Sequence, residues 1–217
     1  MKKLLLTLSI TLAGLLSNAQ TDFRSAVLKG KQMLDSASGY ETAMAASNYF
    51  ERLAVVNANE WLAPYYAALS SLSAGIMSQD DNKKDECYER GLDFVEKAKT
   101  LKHDKSELLA LEGYLKLMYI ANSPMKRAPT QTGAAFDLLE EAKQLNPSNP
   151  RPYYVHGQHL FYTPKFFGGG AKNAMPLLSK ASEQYKVFVP ANDMMPQWGL
   201  KRCEKLLNDC RAQLAEK

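Results

Sequence analysis

The sequence has only three cysteines and none of the short motifs that identify common enzyme families. Gly-x-Ser-x-Gly and His-Glu-x-x-His, which are typical of serine hydrolases and zinc peptidases, are both missing. The adjacent acidic pairs Asp80-Asp81 and Glu140-Glu141 diverge on a helix, so they do not indicate two cooperating carboxylates. We therefore predict a non-enzyme with no catalytic residues and no cofactor.

The cysteines do not suggest a disulfide-stabilised scaffold. Cys203 and Cys210 are seven residues apart, which is about 10.5 Å along one helix at a rise of about 1.5 Å per residue. That separation exceeds the reach of a disulfide. Cys87 could pair with either of them, but three buried free thiols are the favoured interpretation.

A long apolar run occurs only at the start of the chain. Lys2 and Lys3 precede the apolar residues 4–16, and small residues at 17 and 19 fit a cleavage site. We predict that residues 1–19 are a cleaved signal peptide; an uncleaved N-terminal anchor is the alternative. The protein would then be periplasmic or secreted, with no stable membrane insertion after cleavage.

Charge does not indicate a nucleic-acid partner. The net charge is +4 at pH 7 and falls to +2 without Lys2 and Lys3. No basic stripe stands out, so we predict no nucleic-acid binding. Sequence does not determine the oligomeric state.

One pattern recurs four times along the chain, and residues 135–157 show it completely. A small residue, two large apolar residues and a second small residue lie at relative positions −7, −4, −3 and 0, which share one face of a helix. A further small residue follows fifteen positions later in three of the copies, across a turn. The reference positions are Ala98, Ala142 and Ala181, and Leu53 in the first copy, where leucine replaces the small residue. The pattern predicts antiparallel helix pairs.

These positions resemble the tetratricopeptide repeat. The matching residues in one copy are Tyr153, Gly157 and Leu160 on the first helix and Ala174, Leu178 and Ala181 on the second. The resemblance implies an all-α, right-handed α-solenoid of antiparallel helix pairs with about nine helices. It predicts a single domain over 21–217, with a repeat core at about 40–188 and a C-terminal capping helix at about 195–214. Exported tetratricopeptide proteins of Bacteroidetes are similar to this chain, as are, more loosely, periplasmic tetratricopeptide partners of solute transporters.

The resemblance also implies a concave face that binds a partner. Its candidate residues are Tyr65, Leu69, Glu107, Tyr114, Arg151, Tyr154, Gln158 and Tyr162. Tyrosine and arginine contribute strongly to binding at interfaces. We predict a non-catalytic scaffold for a protein or peptide in the bacterial periplasm; the alternative is a small-ligand or solute-binding accessory subunit of a transport system. An enclosed pocket among the tyrosines would favour a ligand, and an open groove would favour a polypeptide.

Three insertions, at 78–84, 122–133 and 163–170, predict loops that share one rim of the solenoid. The candidate rim residues are Lys126, Arg127, Phe166, Phe167, Gly168, Gly169 and Gly170. The three glycines could offer N–H groups to an anion; a turn with both phenylalanines packed beneath it is the simpler interpretation. His156 and His159 could share a helix face, but no further ligand has a suitable spacing, so we predict no metal site.

Overall fold

The computed structural model describes residues 22–215, so the predicted signal peptide lies outside the described residues. Nine α-helices and one 3₁₀ helix account for most of this part of the chain, which contains no strand. The elements are α1 (22–35), α2 (Tyr40–Val56), α3 (Leu62–Met77), α4 (Asp81–Lys99), α5 (Lys105–Asn122), α6 (Pro124–Leu145), α7 (Pro150–Tyr162), the 3₁₀ helix η1 (Lys165–Phe167), α8 (Ala171–Val187) and α9 (Leu200–Ala215). The predicted all-α fold is confirmed.

Side-chain caps explain where several helices begin. Asp80 accepts hydrogen bonds from two N–H groups of the first turn of α4, and Asp104 accepts one from α5. Asn149 accepts the Arg151 N–H at 3.0 Å, and Pro150 occupies the first turn of α7. These residues satisfy N–H groups that have no partner inside the helix. The short turns that result make consecutive helices run antiparallel.

Glycines set the distance between paired helices. A Cβ atom at Gly157 would lie 2.8 Å from Cγ of Leu178, and one at Gly113 would lie 2.6 Å from Cδ2 of Leu139. Real Cβ atoms do not approach other atoms so closely, so only glycine fits without a shift. The small residues of the repeat pattern are therefore contact points between α5 and α6 and between α7 and α8.

The helices form two layers along the array. Each helix from α2 to α9 packs on the next, and α3 contacts α5, α5 contacts α7, and α7 contacts α9. The alternate helices α3, α5 and α7 therefore form a continuous inner layer, and most residues of α3 and α5 are buried. This arrangement confirms the predicted array of helix pairs.

The prediction of three rim loops was wrong for two of them. Only Ser123 separates α5 from α6, so Lys126 and Arg127 lie on a helix. Pro124 opens that helix, and Arg127 holds it by an ion pair with Asp85 at 2.5 Å. In the insertion at 78–84, α4 begins directly after its cap Asp80, so most of this segment is helical too.

No helix among residues 22–215 combines the length and apolarity needed to cross a membrane.

Candidate functional site

An irregular segment, residues 188–199, joins α8 to α9 and lies across the inner layer; we call it the strap. It contacts the surface formed by α1, α3, α5 and α7, which we call the inner face. Tyr66 donates a hydrogen bond to the carbonyl of Met194 at 2.7 Å, and Lys31 donates to the carbonyl of Met195 at 3.1 Å. The predicted concave face is therefore covered by the chain itself.

Arg151 is the central charge beneath the strap and is 0% exposed. Its Nη1 donates to Oε1 of Glu107 at 2.5 Å, and its Nη2 donates to the carbonyl of Pro196. The guanidinium also lies 4.8 Å from the ring centre of Phe188 and 5.4 Å from that of Trp198. A buried charge needs such partners because it has lost water. The pair thus links α5, α7 and the strap.

Burial raises the pKa of Glu107 to about 7, and the attraction of Arg151 opposes part of that rise. Tyr65 donates to the second oxygen of this carboxylate at 3.4 Å. Burial also raises the pKa of Tyr65 well above its usual value. The hydroxyl therefore stays protonated and is available as a donor.

Aromatic side chains surround Trp198 of the strap. Its Nε1 donates to the Tyr65 hydroxyl at 2.9 Å, its ring stacks on Tyr114 at 5.8 Å, and it meets Tyr154 edge-on at 6.3 Å. Gln158 donates to Tyr114 at 2.9 Å and accepts from Tyr154 at 2.5 Å. The three tyrosines expected to line a pocket or a groove are thus all in contact with Trp198.

The structure brings most of the predicted concave residues together. Six of them lie under the strap: Tyr65, Glu107, Tyr114, Arg151, Tyr154 and Gln158. Leu69 is buried as well, whereas Tyr162 is exposed beyond the strap. That they bind a partner stays a prediction.

Sequence reasoning missed the strap and the residues that hold it, which include Lys31, Tyr66 and Trp198. A signal was present: eighteen residues separate Ala181 from Gly199, whereas fifteen separate the equivalent positions in the other copies. This longer interval contains two prolines and a tryptophan. Proline favours an irregular segment, and the tryptophan requires a place to be buried.

The only predicted rim loop that the structure retains is 163–170, which contains η1. Phe166 is 92% exposed and Phe167 69%, with their rings in edge-to-face contact at 5.2 Å. The expectation that these side chains pack beneath the turn was wrong. Tyr162, four residues before Phe166 in the chain, is 59% exposed, and we call these three exposed side chains the aromatic rim.

The three glycines make this turn tight. Gly168 and Gly170 have φ angles of 83° and 90°, which L side chains rarely adopt. Their N–H groups donate to carbonyls of Lys165 and Leu160 at 3.0 and 2.8 Å, and the Gly169 N–H donates to Pro164 at 3.2 Å. All three N–H groups thus bond within the chain, which disfavours the anion site.

Basic side chains border the aromatic rim. Arg202 donates to the hydroxyl of Tyr162 and lies 5.8 Å from its ring centre, and Lys165 is exposed within η1. A shallow groove of about 200 Å³ lies beside this turn and is lined by Lys165, Lys172, Asn173 and Leu214, among others. The region combines exposed aromatic rings with positive charge.

The remaining candidates have structural roles. His156 stacks on Phe136 at 4.3 Å, and its Nδ1 lies 3.2 Å from a Glu140 oxygen. Burial lowers the pKa of His156 to about 4, so the ring is neutral near pH 7. Over residues 22–215, no three or more His, Cys, Asp or Glu side chains group as metal ligands. The three cysteines are buried free thiols.

Comparison with known proteins finds a likeness among solved structures. No protein-family model matches the sequence, and no curated protein matches it. Among solved structures, the HusA haemophore from Porphyromonas gingivalis is similar to this chain, with 28% identity and a TM-score of 0.78. The alignment covers 88% of this chain and 94% of that one. The predicted relation to proteins of Bacteroidetes fits this neighbour, whereas the tetratricopeptide assignment stays a prediction.

Proposed function

We propose that this protein is a non-catalytic binding protein whose ligand is a haem-like tetrapyrrole. The observation that carries the proposal is the likeness to a haemophore over nearly the whole of both chains. The two chains share both the helical fold, with a TM-score of 0.78, and 28% of their aligned residues. A chain that takes up and carries a ligand needs no catalytic groups, which fits the lack of enzyme motifs.

The aromatic rim has the chemistry that such a ligand needs. Haem is a flat, largely apolar macrocycle that carries two carboxylates. Exposed aromatic rings such as Phe166 and Phe167 can stack on the macrocycle. Arg202 and Lys165, which border the rim, can pair with the carboxylates. The rim therefore offers both halves of the recognition in one place.

The proposal also includes export of the protein and a tetratricopeptide-like repeat. A cleaved signal peptide at residues 1–19 would deliver the protein to the periplasm or the exterior, where captured haem would be met. The close glycine contacts between paired helices support a tetratricopeptide-like array. A role as the binding subunit of a transport system is compatible with both features.

A second candidate is a polypeptide partner on the inner face. The specific observation in its favour is that this face already binds carbonyl groups of an irregular stretch of main chain, the strap. This candidate requires the strap to move, and it involves a different surface from the aromatic rim.

Haem titration followed by absorbance tests the tetrapyrrole proposal. The mature chain should give a saturable spectral change with one haem per chain. A Phe166→Ser and Phe167→Ser double variant should bind about tenfold more weakly or worse, because two exposed stacking surfaces are lost. A chain without saturable binding would contradict the ligand.

A matched control tests whether the aromatic rim is the site at which haem binds. Met125 and Val56 are 87% and 80% exposed apolar side chains outside the aromatic rim. A Val56→Ser and Met125→Ser double variant should bind haem like the parent chain. If the parent chain and both double variants bind haem equally, haem is the ligand but the aromatic rim is not its binding site.

A further inference from the structure

The aromatic rim presents two neighbouring phenylalanines at the tip of a closely packed turn. Phe166 and Phe167 are 92% and 69% exposed. A Cβ atom at Gly169 would lie 2.1 Å from the carbonyl oxygen of Thr163, so the turn packs tightly against the end of α7. Both rings therefore face water although the backbone that carries them is well held.

The main chain of this tip satisfies its own polar groups. The N–H groups of residues 167–170 donate to carbonyls within the turn or at the end of α7, over 2.8–3.2 Å. Asn173 donates to the Gly168 carbonyl at 2.9 Å. A segment that enters the apolar part of a bilayer must satisfy its N–H groups internally, because lipid chains offer no hydrogen-bond partner. The tip meets this requirement.

Positive charge borders the rings, and negative charge is missing from this part of the sequence. Residues 142–182 contain five lysines or arginines and no aspartate or glutamate. Lys165 directly precedes the two phenylalanines, and Lys172 lines the same shallow groove beside the turn. Both lysines are exposed, and none of the ion pairs among residues 22–215 involves them. Their charges are therefore available to an anionic surface.

We propose that the aromatic rim docks the protein on the surface of a bilayer that contains anionic phospholipids. Phe166 and Phe167 enter the boundary between headgroups and acyl chains, where apolar rings lose their contact with water. Lys165 and Lys172 remain at the level of the lipid phosphates, and each strengthens binding about fivefold. The docking needs no haem, and a rim that also holds haem binds one of the two at a time.

A bilayer accounts for this combination better than a polypeptide partner does. The N–H groups of the tip are already used within the chain, so they offer nothing to a partner's main chain. The groove beside the turn is shallow, at about 200 Å³, whereas protein partners are anchored in desolvated pockets. A fluid lipid surface adapts to projecting rings and requires no pocket.

Co-sedimentation with lipid vesicles tests the docking in the absence of haem. The mature chain should bind phosphatidylcholine vesicles that contain about 30% phosphatidylglycerol at least about tenfold more tightly than vesicles of phosphatidylcholine alone. Phe166→Ser with Phe167→Ser should bind the anionic vesicles about tenfold more weakly or worse, because the inserted rings are lost. Lys165→Gln with Lys172→Gln should also weaken this binding at least about tenfold, and should leave the weak binding to phosphatidylcholine unchanged.

A matched control uses two exposed apolar neighbours elsewhere in the array. Val55 and Val56 are 77% and 80% exposed at the end of α2. Val55→Ser with Val56→Ser should bind the anionic vesicles like the parent chain. Circular dichroism should show that all three double variants are folded, because every substituted side chain is exposed.

The proposal is overturned if the parent chain does not bind the anionic vesicles, or if the phenylalanine variant binds them as tightly as the parent. Binding that is equal on vesicles with and without phosphatidylglycerol would also contradict it. Sedimentation velocity without vesicles tests the other occupant: a dimer that the phenylalanine variant cannot form would assign the aromatic rim to a second copy of the chain instead. Because these assays contain no haem, their outcome is independent of the haem titration.

Discussion

Arginine and aromatic side chains occur in both the inner face and the aromatic rim, but they are buried in the first and exposed in the second. In each, an arginine contacts a ring: Arg151 lies over Trp198 under the strap, and Arg202 lies over Tyr162 at the rim. Arg151 is 0% exposed, whereas Tyr162, eleven residues further along the same helix, is 59% exposed. The difference is the strap, which covers one end of α7 and leaves the other open. The residue types therefore indicate which groups a surface can bind. Whether the strap buries them decides if these side chains stabilise the fold or face solvent.

Breaking the buried ion pair should have the largest effect on stability. Arg151→Met leaves the Glu107 carboxylate buried without its partner, which costs about 3–5 kcal/mol. Arg202→Met at the exposed rim should change the free energy of unfolding by about 0.5 kcal/mol or less. Urea denaturation followed by circular dichroism compares the two. Similar losses would contradict the contrast between the regions.

Replacing the glycine between these two ends of α7 should have the next largest effect. Gly157→Leu places atoms inside the contact with Leu178, and such overpacking costs about 1–3 kcal/mol. Gly133→Leu is the matched control, because a Cβ at Gly133 meets nothing within 4 Å. It should be neutral or slightly stabilising, since leucine favours a helix more than glycine does. Thermal unfolding measures both; a Gly157→Leu variant as stable as its parent would break the proposed helix contact.

Stability of the covered face should depend on pH through Glu107. Its folded pKa of about 7 exceeds the usual 4.5, so the folded state binds an extra proton between these values. The contribution is complete below pH 4.5 and is lost as the pH rises through 7. Relative to Glu107→Gln, the parent chain should lose on the order of 2 kcal/mol between pH 5 and pH 8.

Comparing the parent chain with Glu107→Gln at each pH isolates this effect from His156. The pKa of that histidine is lowered to about 4, so its contribution has the opposite sign and is lost as the pH falls. Urea midpoints that shift in parallel for both proteins would show that Glu107 has no raised pKa.

Removing the exposed rings should have the smallest effect on stability. Phe166→Ser with Phe167→Ser should change the free energy of unfolding by about 0.5 kcal/mol or less, because both side chains already face water. Differential scanning calorimetry measures this change. A loss comparable to that of Arg151→Met would show that the aromatic rim supports the fold and is not an open surface.

The helices were predictable because their signals are local. Asn149 and Pro150 start α7 wherever it packs, and small residues at fixed spacing indicate a close contact before the partner helix is known. The insertion at 122–133 was predicted wrongly for a tertiary reason. Pro124 is equally typical of a loop and of a helix start, and the ion pair of Arg127 with Asp85, 42 residues away, accompanies the helical outcome.

The sequence by itself determined the all-α array and its helix pairs, because helical periodicity assigns residues to faces. The resemblance to the tetratricopeptide repeat, and not periodicity, implied which tyrosines and which arginine share the inner layer. Only the tertiary structure decided that the strap covers that layer and that Phe166 and Phe167 remain in water. Its contacts join residues as far apart as Arg24 and Asp193, which are 169 positions apart in the chain. No local pattern encodes such a contact, since it depends on where the whole array brings α8 and α9.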